Sequence, residues 1–124
     1  MTSKVDLEIN QGSDYSVFFV IRDSGGTVDL TGYKAAMQLR KQVSSQEADD
    51  TLSTENGRLE IFPTEGKVKV NFTNQVTSGY SSTSYKYDLE IVSPGGFVTR
   101  VVEGKIKISP EVTRVNYQSK GNNA

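Results

Sequence analysis

The sequence predicts an all-β protein, and three observations support this prediction. Apolar and polar residues alternate with a period of two along most of the 124-residue chain, and this alternation is typical of half-buried strands. Clusters of Gly, Pro, Asp and Ser separate the alternating runs and predict turns, with hairpin turns at residues 23–26 and 93–96. Helical periodicity is weak. The length suits one domain with a modest core.

Most of the alternating runs are joined by short connections, which indicates an antiparallel sandwich or barrel. We predict a single immunoglobulin-like antiparallel β-sandwich of about seven strands. This domain is expected to span residues 1–113, and residues 114–124 are expected to form a polar C-terminal tail. The predicted strands lie at residues 5–9, 15–22, 33–41, 58–62, 67–72, 85–92 and 97–109.

The run at residues 15–22 has apolar side chains on both faces. Its odd-numbered residues are predicted to face the core, whereas Phe18 and Val20 point to the opposite face. This pattern indicates either a central strand covered on two sides or an oligomer contact. Alternatively, a loop such as residues 42–55, which is polar and predicted to be long and exposed, covers both side chains.

Two other segments are open to more than one interpretation. Residues 34–50 contain many helix-favouring residues, but the alternation through Leu39 favours a strand in the first part of this segment. A single helical turn is predicted after Thr73. Near the end of the chain, the parity of the apolar positions changes, and we predict a β-bulge at Glu103 and Gly104 within one long bent strand.

The composition excludes several kinds of chemistry. The chain contains no Cys and no His, so it cannot form a disulfide, a thiolate metal site or a histidine-based catalytic triad. We therefore predict that the protein is not an enzyme and binds no cofactor or metal. The acidic residues of the 42–55 segment lack the ordered spacing of a calcium loop and are interpreted as a solvated surface; they are Glu47, Asp49, Asp50 and Glu55.

The charge distribution predicts neither a nucleic-acid partner nor a membrane partner. Lys and Arg number 14 against 15 Asp and Glu, whereas nucleic-acid binders usually carry a basic excess. No run approaches the 20 or so apolar residues that span a bilayer.

Asp88 and Glu90 are expected to face Lys67 or Lys69 across a sheet.

The tyrosines have a structural interpretation and a binding interpretation. Tyr85 and Tyr87 alternate with charged residues, so we predict that they are buried, and that one of them bonds its hydroxyl to a turn backbone as in a tyrosine corner. The alternative is a carbohydrate-binding module that recognises a host glycan through exposed Tyr15, Tyr33 or Tyr80.

Four short motifs carry a resemblance to a known group of proteins. They are "DLTGY" at Asp29–Tyr33, "MQLR" at Met37–Arg40, "YDLE" at Tyr87–Glu90 and "SPEVTR" at Ser109–Arg114. In this order, and over residues 8–114, the chain resembles a small family of tailed-bacteriophage virion structural proteins. The resemblance implies a non-enzymatic component of the tail, baseplate or fibre-attachment region, assembled in the host cytoplasm and located in the virion. A capsid decoration protein is the alternative within the same class.

A virion component of this kind is expected to act through contacts with other virion proteins, as a homo-oligomer or a hetero-oligomer. Pro110 is expected to end the last strand or to continue it only along a sheet edge. Residues 110–124 are predicted to be loosely held and to become ordered against an adjacent subunit, the alternative being a frayed end. The predicted protein-contact residues are Phe18, Val20, Val112, Val115 and Tyr117.

Overall fold

The computed structural model describes residues 2–81 and 83–113. Strands dominate this part of the chain, with one short helix and a 3-10 turn, so the protein is all-β as predicted. In chain order the elements are β1 (Ser3–Lys4), β2 (Leu7–Asn10), β3 (Tyr15–Val20), β4 (Arg22–Asp23), β5 (Gly26–Thr27), β6 (Lys34–Arg40), β7 (Asp50–Ser53), β8 (Leu59–Phe62), the 3-10 turn (Pro63–Glu65), β9 (Lys67–Phe72), α1 (Asn74–Ser78), β10 (Ser84–Val92) and β11 (Val98–Ser109).

The larger sheet has β11, β10 and β6 at its centre and β7 at one edge. The pairs β11–β10, β10–β6 and β6–β7 are antiparallel. At the other edge, β1 and β2 follow one another along β11 and run parallel to it, with Ser3 opposite Val102 and Ile9 opposite Ile108. β11 is therefore an internal strand. The prediction that Pro110 ends the last strand is confirmed, because β11 ends at Ser109; the strand does not lie along a sheet edge.

The smaller sheet consists of three antiparallel strands in the order β3, β9, β8. β3 lies at its edge, so the interpretation of residues 15–22 as a central strand is wrong. The predicted hairpin turn at residues 23–26 is confirmed, because β4 and β5 pair with Asp23 opposite Gly26.

Both sheets bury their inward faces in one hydrophobic cluster. The alternation that predicts strands also predicts this burial: Met37 and Leu39 of β6 and Val68 and Val70 of β9 are almost completely buried. Burial of apolar area at these positions is the main contribution to stability.

The segment at residues 42–55 is not simply a long loop. Its second half forms β7, which pairs with β6 and places Leu52 opposite Met37 in the core. Leu52 is the single apolar residue of a four-residue strand, so no alternation marks it in the sequence.

The parity change in the last strand is confirmed, but the bulge lies elsewhere than predicted. Leu89 pairs with Val102 and Glu90 with Arg100, so Val101 is the extra residue.

Gly104 has a different role, which is to allow a close approach of two backbone segments. The chain passes over Gly104 between β1 and β2, where the Val5 amide donates to the Glu103 carbonyl at 2.9 Å. A Cβ on residue 104 would lie 2.8 Å from the Val5 carbonyl carbon, which is too close for any side chain. A glycine in a strand can mark such a close approach as well as a bulge, and this explains why the predicted position was wrong.

The part of the chain that follows β9 confirms three predictions. The helical turn predicted after Thr73 is α1, and the Val76 amide donates to Thr73 Oγ1 at 3.4 Å. Tyr85 and Tyr87 are buried. The Tyr85 hydroxyl accepts a hydrogen bond from the Ser81 amide at 3.0 Å, as predicted for a tyrosine that anchors a turn.

Candidate protein-contact surface

The outer face of the smaller sheet carries the first two predicted contact residues. Successive side chains of a strand point to opposite faces, and in β3 this places Phe19 in the core and leaves Phe18 and Val20 outside. Phe18 is 50% exposed and Val20 is 40% exposed. Both are large apolar groups on a face where polar residues are usual.

Phe18 lies close to side chains from the other two strands of the sheet. Its ring lies 5.8 Å from that of Phe62 on β8, measured between ring centroids. The Lys67 and Lys69 ammonium groups of β9 lie 5.6 and 5.8 Å from the centre of the Phe18 ring, within the range of cation–π attraction. We call these four residues together with Val20 the Phe18 patch.

The Phe18 patch combines an apolar centre with cationic neighbours. Lys67 also lies 3.2 Å from Glu65, so the patch has charges of both signs at its border. An exposed aromatic centre with a polar rim is typical of protein contact surfaces. The alternative in which residues 42–55 cover Phe18 is not supported, because β7 pairs within the other sheet and Phe18 remains half exposed.

The other predicted contact residues lie elsewhere or outside the described part of the chain. Val112 is 92% exposed and follows the end of β11 in the larger sheet. The chain next to it is held by the Glu111 amide, which donates to Gln11 Oε1 at 2.9 Å. Val115 and Tyr117 lie outside the described residues, so the predicted ordering of the tail stays a prediction.

Asp50, Arg58 and Tyr80 form one hydrogen-bonded cluster of titratable side chains. Both Asp50 carboxylate oxygens accept hydrogen bonds from Arg58 at 2.7 Å, and the Tyr80 hydroxyl donates to the same carboxylate. Burial alone would raise the pKa of Asp50, but the hydrogen bonds from Arg58 and Tyr80 outweigh it, so this pKa lies below its usual value. Burial and the bond to Asp50 raise the pKa of Tyr80. Asp50 is thus paired and not part of a solvated acidic surface.

The three tyrosines of the carbohydrate-binding alternative are not equally available. Tyr80 is buried, so its predicted exposure is wrong; its ring packs 5.4 Å from that of Tyr85. Tyr15 is partly buried and packs 6.0 Å from Phe72, and Tyr33 is partly buried against the core. The structure does not bring the three together as an exposed stacking surface.

The charged residues of β10 face the outside of the larger sheet. Asp88 lies 3.4 Å from Arg100, and Arg100 lies 3.1 Å from Glu103. The expectation that Asp88 and Glu90 face Lys67 or Lys69 is wrong, because the lysines belong to the smaller sheet.

Sequence reasoning did not identify Phe62, Lys67 and Lys69 as part of the patch. Phe62 has the opposite parity to Leu59 and Ile61 in β8, and this parity is the signal that could have placed it on the outer face. Phe97 and Val98 were also missed; both are exposed where the β10–β11 hairpin turns. They follow Gly96, whose φ of 90° completes the predicted turn at residues 93–96.

Comparisons with known proteins add no assignment: neither a protein-family model nor a curated protein matches the chain. Among the described residues, no helix has the length and apolar character needed to cross a membrane. Residues 2–81 and 83–113 also contain no group of three or more Asp or Glu side chains arranged to hold a metal ion.

Proposed function

We propose that this chain is a non-enzymatic structural subunit of a tailed-bacteriophage virion. It belongs to the tail, baseplate or fibre-attachment region and acts through protein–protein contacts. The observation that carries the proposal is the Phe18 patch, in which Phe18 and Val20 expose apolar area on a sheet face beside two lysines. Such an apolar patch on a small domain marks an interaction surface.

We further infer that the all-β fold is an immunoglobulin-like sandwich, and the strand connectivity supports this class. In such a domain, lettered in chain order, strands B, E and D share one sheet and strands C, F and G share the other. If β3, β6, β8, β9, β10 and β11 take the letters B to G, the two sheets have this composition. β7 is then an additional strand after C, and β2 pairs with G. Tyr85 at the start of β10 has the position of the tyrosine corner.

The motifs that carry the family resemblance have structural roles in this fold. In "DLTGY", Asp29 Oδ1 accepts hydrogen bonds from the Thr31 amide and hydroxyl, and Leu30 is fully buried. Gly32 has a φ of 80°, and a Cβ there would lie 2.9 Å from Pro94. In "YDLE", the Tyr87 hydroxyl donates to the Val5 carbonyl at 2.6 Å. The resemblance therefore supports a shared fold, and the Phe18 patch supports the contact function.

The proposal is tested by following the chain into phage particles. Particles are produced from the encoding phage or prophage, with the natural gene replaced by the Phe18→Asp variant or by the control variant Glu8→Gln. Glu8 is exposed on β2 of the larger sheet, away from the Phe18 patch. The natural chain and Glu8→Gln should appear in purified particles, whereas Phe18→Asp should be folded and absent from them.

Three results would contradict parts of this proposal. Absence of the natural chain from purified particles would exclude a virion subunit. Normal incorporation of Phe18→Asp would exclude the Phe18 patch as the contact. A particle that contains the chain on its capsid surface, and not on its tail, would replace the tail assignment with capsid decoration.

A further inference from the structure

Within residues 2–81 and 83–113, no strand pairs with the outer edge of β3, and this free edge lacks the features that usually prevent strand pairing. Native edge strands carry charges, prolines or interruptions that block pairing with another chain. β8 contains Glu60 and is followed by Pro63, β7 begins with Asp50, and the edge made by β1 and β2 is interrupted between them. β3 is six residues long, and its sequence YSVFFV contains no charge, no proline and no glycine.

The alternation of hydrogen-bonded positions between β3 and β9 shows which backbone groups of β3 point to the free edge of the sheet. The Ile21 amide donates to the Gly66 carbonyl at 2.7 Å, and this pair continues the register of β3 and β9. Hydrogen-bonded positions alternate along an antiparallel pair. The odd-numbered residues therefore bond to β9, and Ser16, Phe18 and Val20 direct their N–H and C=O groups outwards.

The hydrogen bonds between β9 and β8 lead to the same assignment of inward-bonding and outward-facing residues in β3. The Asn71 amide donates to the Arg58 carbonyl at 3.0 Å, so the odd-numbered residues of β9 bond to β8. Its even-numbered residues then bond to β3, where their partners are the odd-numbered residues.

We propose that β3 pairs antiparallel with β3 of a second copy of this chain, about a twofold axis at Phe18. This inference rests on the proposed role of the Phe18 patch as a protein contact. The register places Phe18 opposite Phe18 and Ser16 opposite Val20 of the second copy. It satisfies all three outward-facing residues with about six backbone hydrogen bonds, since each hydrogen-bonded pair exchanges two. The dimer is closed to further copies, because the free β3 edge of each copy is used in the pairing.

Charge complementarity supports a second copy as the occupant. In the same register, Asp14 just before β3 lies opposite Arg22 just after β3 in the second copy, so opposite charges meet at both ends of the pairing. Both residues are exposed, and within residues 2–81 and 83–113 neither forms an ion pair. Asp14 Oδ1 accepts from the Asn74 amide at 2.6 Å, and a carboxylate has further lone pairs available.

Side-chain burial supports the same register on both faces of the sheet. Val17 points inwards but is only partly buried, whereas Val68 and Val70 on the central strand are completely buried. Phe19 of the second copy would lie opposite Val17 and cover it. On the outer face, the two Phe18 patches would join and bury part of the exposed apolar area.

Disulfide trapping tests this register directly, because the chain contains no Cys. Residues of a hydrogen-bonded antiparallel pair have Cα atoms about 5.5 Å apart, which a disulfide can span. Phe18→Cys should therefore give a covalent dimer under mild oxidation of a dilute sample. The matched control is Glu60→Cys, which is exposed at the opposite edge of the same sheet and should remain monomeric on a non-reducing gel.

Light scattering of the natural chain needs no variant, and the measured mass should be that of a dimer.

Val20→Pro should give a folded monomer, because proline removes an outward-facing N–H and is tolerated at a strand edge. Arg22→Asp places two carboxylates opposite each other and should weaken the dimer by about threefold to tenfold. An unchanged dimer in both variants would overturn the proposal.

The proposal is also overturned if the natural chain is monomeric at high concentration and Phe18→Cys cross-links no more than Glu60→Cys. If such a monomeric chain still requires Phe18 to enter particles, the Phe18 patch binds a different virion protein, and the proposed function remains. If the chain is dimeric but Phe18→Asp enters particles normally, the pairing stands and the proposed contact function fails.

Discussion

The Tyr80 hydroxyl and the Asp50 carboxylate are joined by a hydrogen bond that connects the turn after α1 to the edge strand β7. Arg58 binds the same carboxylate through both of its terminal nitrogens. We expect Asp50→Asn to lower the free energy of unfolding by about 1–3 kcal/mol at pH 7, since it removes charge-assisted hydrogen bonds in a largely buried place. Denaturant unfolding measures this change. Glu47→Gln, an exposed change in the same segment, is the control, and equal stability of the two variants would contradict the expectation.

The same carboxylate predicts a dependence of stability on pH. The pKa of Asp50 is lower in the folded chain than its usual value near 4. A depressed folded-state pKa contributes stability above the unfolded-state pKa, and this contribution is lost as the pH falls through the folded-state pKa. The stability difference between the natural chain and Asp50→Asn should therefore be constant from about pH 5 to 7 and narrow below about pH 4. A difference that stays the same down to about pH 2 would contradict this assignment.

Gly104 provides a test of the close contact between β11 and the N-terminal segment. We expect Gly104→Ala to destabilise the chain by about 1–3 kcal/mol, because its Cβ would collide with the Val5 carbonyl. Gly95→Ala is the matched control, since its nearest neighbour would be a Ser93 side-chain atom at 3.9 Å. Thermal unfolding compares the two variants. Similar midpoints would mean that the segment at Val5 moves aside at little cost.

Gly32 provides a test of the structural role of the "DLTGY" motif. Gly32→Ala is expected to cost about 1 kcal/mol or more, because φ is 80° there and Pro94 is close. If the contact with Pro94 contributes, adding Pro94→Ala should recover part of the loss, whereas the backbone strain should remain. Denaturant unfolding of the single and double variants separates the two effects; no loss in Gly32→Ala would show that neither constraint holds.

Much of the fold could be predicted from the sequence because period-two alternation is strong in the long strands. It correctly placed the buried face of β6 and the exposed position of Phe18 on β3. It missed β7, where Leu52 is the sole apolar residue. It also could not show that β3 is at an edge or that β11 is internal, because pairing partners distant in sequence determine those positions.

The candidate site was predictable only in part, for a similar reason. A single strand shows which of its side chains face outwards, and this was enough to identify Phe18 and Val20. The contribution of Phe62 and the two lysines depends on the register of three strands, with Lys69 opposite Phe18 and Lys67 opposite Phe62. Local alternation contains no information on that register.

The most direct test of the central claim is a density map of the assembled phage particle by electron microscopy. The account predicts that the domain is found in the tail, baseplate or fibre-attachment region, with Phe18 and Val20 buried against a neighbouring subunit. A map in which the domain is present but both side chains face solvent would contradict the contact surface. A complete particle map without the domain would contradict the structural role itself.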